Sequence, residues 1–153
     1  MSNPQGKIAT LPPPPPRVLL IDDAFTLRRY CHSLLAAEGF ELHEAINGLE
    51  AMEVALQRPF DLFFVDINMR MMDGLSFLRA ARATPDLAGV PAVIVSSAKA
   101  EAEQARAFAA GANFFLTKPI DPALYVAVAR RLCGLSPRPR PRVAGDRLAG
   151  RAA

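Results

Sequence analysis

Little in this chain can hold a soft metal or carry out thiol chemistry. It has two cysteines, Cys31 and Cys133, with neither a CxxC spacing nor a disulfide-rich composition. That argues against a thiolate metal site and fits a reducing compartment. The two histidines, His32 and His43, fall on a predicted helix and a predicted edge strand, away from the acidic residues below, and are read as surface side chains without a role. No run approaches the ~18 apolar residues of a membrane span. The N-terminus lacks the charged and apolar blocks of a signal peptide. The expectation is a cytoplasmic protein with no membrane partner. A strong charge of one sign is missing as well, with 18 Lys and Arg against 15 Asp and Glu. Arg138, Arg140, Arg142, Arg147 and Arg151 lie together after Ser136, so the basic balance belongs to the C-terminal segment and the rest is nearly neutral.

What is present is a regular alternation of short apolar runs and helical patterns, in a length of 153 residues that suits one domain with a real core. Val18 to Ile21, Leu62 to Val65, Ala92 to Val95 and Phe114 to Leu116 read as strands buried on both faces, the usual state inside a parallel sheet. Residues 40 to 45 alternate apolar and polar and suit an edge strand. Between the strands, apolar residues recur at helical spacing: Leu27, Cys31, Leu34 and Leu35; Leu49, Met52, Ala55 and Leu56; Leu75, Leu78 and Ala81; Leu124, Val128 and Leu132. The Ala-rich stretch 100 to 110 is helical but poor in large apolar side chains, so it should be the least firmly anchored helix. Gly39 and Gly134 supply helix stops, Asn47 a cap, and Pro122 a first-turn residue. Five strands and five helices joined by right-handed crossovers make a three-layer α/β sandwich.

The chemistry sits at the strand ends. Asp22 and Asp23 close the first run, Asp66 the third, Ser96 and Ser97 the fourth, and Thr117, Lys118 and Pro119 the fifth. In open α/β sheets ligands collect beyond the carboxyl ends of the strands, so these side chains can converge on one crevice. Three clustered carboxylates repel one another unless protons or a cation intervene. Hard oxygen donors shared with a phosphate are the ordinary setting of Mg2+. An ionised aspartate can attack phosphorus to give an acyl phosphate, while an ammonium and a hydroxyl neutralise and orient the transferred oxygens.

Each element alone is an ordinary cap or turn, but their order along successive strands is specific. With the segments IDDAFTLRRY, VDINMRMMDG, AVIVSS and GANFFLTKPI, residues 17 to 133 resemble the receiver domain of two-component response regulators, of the stand-alone chemotaxis-receiver type. The resemblance implies a flavodoxin-like five-stranded sheet of order 2-1-3-4-5. It implies that Asp66 accepts a phosphoryl group from a histidine kinase or phosphotransfer protein, and that Asp23 binds Mg2+ directly. Asp22 would act chiefly through water, and the Asn68 backbone carbonyl would complete the metal ligands. Ser96 and Lys118 would contact the phosphoryl oxygens, the bond before Pro119 would be cis, and Phe115 would be the aromatic switch. Inward rotation of Phe115 would then change the face of the fourth helix, fifth strand and fifth helix. Around Ala102, Ala109, Phe115 and Tyr125 that face would take a target protein or a second copy of the chain, and spacing alone does not choose between them.

Three departures from the family pattern carry expectations. Arg70 stands where proline is frequent, which alters the turn after the phosphoacceptor. Ser97 replaces a frequent alanine, and Ala98 offers no group to position an attacking water, so the phosphoryl state should outlive that of fast chemotaxis receivers. Residues 1–16 should be a disordered, Pro-rich leader in which Pro12 to Pro16 adopt an extended polyproline II conformation. The Arg- and Pro-rich segment 135–153 lacks the apolar surface to fold alone, leaving 17–134 as the folded domain. With no second domain expected after residue 134, output would come from phosphorylation-dependent protein binding or a phosphorelay, the only catalysis being self-phosphorylation and autodephosphorylation. Two other readings are weaker. A small aspartyl-phosphate phosphatase would carry its nucleophile after the first strand and need a cap domain. A nucleic-acid binder would depend on the basic tail, which has no interleaved aromatics. A flavin protein is disfavoured because two acids follow Ile21 where a phosphate loop would be required.

Overall fold

The computed structural model describes residues 11–97 and 101–136. Most of the expected leader (1–10), nearly all of the expected tail (137–153) and Ala98 therefore lie outside the described residues. The elements alternate strictly: β1 (Arg17–Ile21), α1 (Phe25–Ala36), β2 (Glu41–Ala45), α2 (Gly48–Gln57), β3 (Leu62–Asp66), α3 (Gly74–Ala83), β4 (Ala92–Ser96), α4 (Glu101–Ala110), β5 (Phe114–Thr117) and α5 (Pro122–Leu132). All strands are parallel, in the order β2-β1-β3-β4-β5. The flavodoxin-like order implied by the resemblance is the one observed.

Every residue of β3 and β4 is buried, because both strands lie inside the sheet with helices over both faces. Side chains alternate between two cores. Leu19, Ile21, Phe63, Val65 and Ile94 face α2, α3 and α4, where Phe77 meets Phe63 edge-on with ring centroids 5.4 Å apart. Val18, Leu20, Leu62, Phe64 and Val93 face α1 and α5, with Cys31, Leu35, Tyr125, Val128 and Ala129. Both edge strands are less covered: β2 is half-buried along four of its five residues, and β5, expected to be buried on both faces, is exposed at Phe114 and Thr117 because it forms the opposite edge of the sheet. Leu135 also packs against the second core, and the Ser136 carbonyl accepts from Arg130, so the chain stays tied down just past α5.

Helix boundaries follow local chemistry. Asn47, Asp73 and Asp121 accept hydrogen bonds from first-turn N–H groups of α2, α3 and α5, and Pro122 opens α5. The α1 start has no such side-chain cap because its N-cap residue is Ala24, whose methyl group cannot accept a hydrogen bond, while Asp22 accepts from the Ala24 N–H at 2.8 Å.

Two helix faces differ from the expected ones. In α2 the sheet side carries Gly48, Ala51 and Ala55, while Leu49 and Leu56 are exposed. Small residues let that helix lie close, and at Gly48 an added Cβ would stand 2.6 Å from the Met72 side chain. In α5 the buried residues are Tyr125, Val128 and Ala129, and Leu124 is exposed. Tyr125 takes the inner position because it stacks on Phe64 with ring centroids 4.2 Å apart, in the core that also holds the buried Cys31. It is 1% exposed and so cannot form part of the outward binding face expected of it. Helix α4 buries only Ala107 and Ala110, in keeping with its poor apolar face.

Candidate functional site

Strand register brings the strand-end residues together. Ile21 is paired with Val65, Asp66 with Val95, and Ser96 with Thr117. Asp22, Asp66, Ser96 and Lys118 therefore emerge side by side at one edge of the sheet, and Asp23 follows from the β1 turn. Asp22, Asp23 and Asp66 each offer an oxygen within 4.8 Å of the others. Asp22 and Asp66 are buried and Asp23 is exposed, which leaves one open side to the cluster.

Lys118 provides the balancing charge. Its Nζ donates to Asp66 Oδ1 at 3.2 Å and lies 3.8 Å from Asp22 Oδ2. The peptide bond after it, Lys118-Pro119, is cis. Burial, followed by the Asp22 charge, pushes the Asp66 carboxyl up from 3.8 to about 6 despite the neighbouring ammonium. The shift describes a carboxylate held at high energy when ionised, which any added cation would stabilise. Three hard oxygen donors around one open side suit Mg2+ rather than a soft ion, so the residues present fit that metal. Asn68, expected to offer its backbone carbonyl, is exposed on the loop leaving β3.

Ser96 is fully buried at the end of β4, and its hydroxyl donates to Glu103 Oε1 at 3.2 Å. Its carbonyl accepts from the Lys118 N–H at 2.9 Å, which ties the β4 and β5 ends together. Phe115 is half-buried against the first core. Ser97 is exposed beside it in sequence. The loop after Asp66 turns through Met71 and Met72, both with positive φ of 52° and 77°. The Met72 carbonyl accepts from the Gly48 N–H at 3.0 Å, so the loop carrying Arg70 is fastened to the start of α2.

Three contributors were not visible as site residues in the sequence. Arg28, which is buried, donates from Nη1 to the Asp22 carbonyl at 2.7 Å and from Nε to Glu44 at 3.0 Å. Its only sequence signal is a charge at a position otherwise on the inner face of α1. Gly74 packs directly on the Asp66 carbonyl, leaving no room for a Cβ. Its signal is the Asp73-Gly74 pair that starts α3. Glu103 reaches Ser96 from the next helix, and nothing in its local sequence marks it. The histidines stay outside the site, although both are half-buried rather than surface residues. His32 Nδ1 is 3.4 Å from Glu44 Oε2, and His43 pairs with Glu41 and meets Phe60 edge-on.

The arrangement can present one buried carboxylate to an incoming electrophile, with an ammonium against it and two further acids to hold a hard cation. Known proteins share this frame. The gliding motility regulatory protein of Myxococcus xanthus is 35% identical over 102 residues, 67% of this chain and 13% of its own length. Response regulator PleD of Caulobacter vibrioides is 30% identical over 116 residues, 76% of this chain and 26% of its own length. The chain thus spans only a minor part of these two curated relatives. The chemotaxis protein CheY4 of Vibrio cholerae superposes with a TM-score of 0.74 at 27% identity, covering 77% of this chain and 98% of that one. The family model of the response regulator receiver domain matches residues 18–130. The chain belongs to that family, in which phosphorylation on aspartate and magnesium binding are typical.

Proposed function

We propose that Asp66 is the phosphoacceptor of a receiver domain that takes its phosphoryl group from a histidine kinase or phosphotransfer protein. The observation that carries this reading is a buried carboxylate 3.2 Å from Lys118 Nζ, with Asp22 and Asp23 beside it. In the transfer, an Asp66 carboxylate oxygen attacks phosphorus as the bond from phosphorus to the donor imidazole nitrogen breaks. The donor retains that electron pair. Lys118 stays protonated and pairs with a phosphoryl oxygen, and the Ser96 hydroxyl donates to another. Asp22, Asp23, Asp66 and the Asn68 carbonyl would hold Mg2+, which supplies positive charge to the phosphoryl oxygens when bound.

Phosphorylation then acts as a local electrostatic event that biases the outer surface. Ser96 and Phe115 are the switch residues, and the surface of α4, β5 and α5 is the part they change. Signalling proceeds by phosphorylation-dependent binding of a protein target or by passing the phosphoryl group on. Self-phosphorylation and autodephosphorylation are the only chemistry needed. Ser97, exposed beside Ser96, slows the approach of the hydrolytic water and prolongs the phosphoryl state.

The test is incubation of the full chain with acetyl phosphate and magnesium, followed by intact mass. A magnesium-dependent gain of one phosphoryl group that is lost in Asp66→Asn is the expected result. Absence of that gain in a folded protein, with a protein donor failing as well, would overturn the proposal.

A further inference from the structure

The Ser96 hydroxyl has a single proton to donate. In the structure it goes to Glu103 Oε1 at 3.2 Å. A phosphoryl oxygen on Asp66 needs the same proton, so the glutamate and the phosphoryl group compete for it. The competition takes place in a fully buried residue, where a charge-assisted hydrogen bond is not replaced by water at no cost. Its partner sits on α4, the helix with only two buried alanines and hence the least held by the core.

Glu103 also has somewhere else to go. It lines a cleft of about 340 Å³ between α3, α4 and the loop after Asp66, together with Asn68, Arg79 and Arg106. A carboxylate that loses the serine has Arg79 and Arg106 as candidate cationic partners among the residues lining the same cleft. Two alternative sets of partners for one side chain make a two-state element, which is the requirement for a switch.

We propose that Glu103 is a positioning residue that holds the Ser96 hydroxyl in the unphosphorylated state, so that phosphoryl transfer to Asp66 must break this contact and thereby releases the first turn of α4. The inference rests on Asp66 being the phosphoacceptor. It adds a restraint on the rate of phosphorylation and a direct route from Ser96 to α4 that does not pass through Phe115.

The test is a double-mutant cycle on the full chain, with acetyl phosphate, magnesium and intact mass as the readout. Glu103→Ala is expected to be phosphorylated about three- to tenfold faster than the native chain, the upper figure being ~1.4 kcal/mol. Glu103→Gln keeps the side-chain volume and a weaker, uncharged acceptor, and should fall between the two. In the Ser96→Ala background, adding Glu103→Ala should leave the rate unchanged, because the hydroxyl is already gone. An acceleration that persists in that background would mean that Glu103 acts by its charge on the anionic donor, and would overturn the proposal. So would rates for Glu103→Ala within twofold of native. Both results presuppose normal Asp66-dependent labelling of the native chain, and loss of that labelling would instead refute the phosphoacceptor reading on which this one stands.

Discussion

Gly74 lies so close to the backbone of Asp66 that a Cβ on the glycine would overlap the Asp66 carbonyl oxygen and stand 2.9 Å from Val65 Cγ1. The neighbours are strand backbone and a core side chain, neither of which can yield cheaply. Gly74→Ala should therefore push β3 and α3 apart at the phosphoacceptor. The expected loss is roughly 1–3 kcal/mol or more of stability, with slower phosphorylation. Denaturant unfolding and labelling from acetyl phosphate check both. Gly89→Ala, which meets nothing within 4 Å, is the control.

Asp66 should make the metal-free fold less stable as pH rises. The native carboxyl keeps its proton to about pH 6, whereas an unfolded aspartate loses it near 3.8. Between these values the native chain binds more protons, so stability falls with rising pH through that window. Asp66→Asn removes this dependence. In chelator, the mutant should gain roughly 1–3 kcal/mol on the native chain between pH 4 and pH 6.5. Urea unfolding at a series of pH values measures it, and parallel curves would contradict the assignment.

Lys118 opposes the upward pull on Asp66, both through its charge and through its hydrogen bond. Lys118→Gln should raise the Asp66 pKa above about 6 and sharply reduce labelling from acetyl phosphate. Carbon-detected NMR of the aspartate carboxyls follows the first effect and intact mass the second.

Arg28 holds the backbone at Asp22 through a 2.7 Å bond to its carbonyl, while Arg29 contacts the other oxygen of Glu44. Arg28→Ala should weaken magnesium binding about tenfold or more, in the range found for residues that support metal ligands. Arg29→Ala should leave it unchanged. Calorimetric titration with magnesium separates the two.

Arg82 is a structural clamp remote from the acids. It donates to the carbonyls of Val90 at 2.7 Å and Gly111 at 2.9 Å, and to Asn113 Oδ1 at 3.1 Å, joining α3 to the loops before β4 and β5. Arg82→Ala leaves these carbonyls short of a charged donor and should cost about 2–3 kcal/mol. Unfolding by denaturant gives the value, and phosphorylation of the surviving folded protein should remain close to native.

The order of elements and the line of acids, hydroxyl and ammonium at the strand ends are determined by the sequence alone. Runs such as Leu62 to Val65, alternating with helical patterns, suit strands buried on both faces of a parallel sheet, and a strand's last residue emerges at its carboxyl end. Tertiary structure decided which helix faces turn inward. Leu49 and Leu124 fit a helical stripe as well as Ala51 and Tyr125 do, but the close approach of α2 at Gly48 and the stacking of Tyr125 on Phe64 select the latter pair. It also decided the supporting contacts. Arg28 to the Asp22 carbonyl, Glu103 to Ser96 and Gly74 against Asp66 join residues from separate elements. Periodicity reports how each residue faces its own helix or strand, and says nothing of which atom of another element it meets.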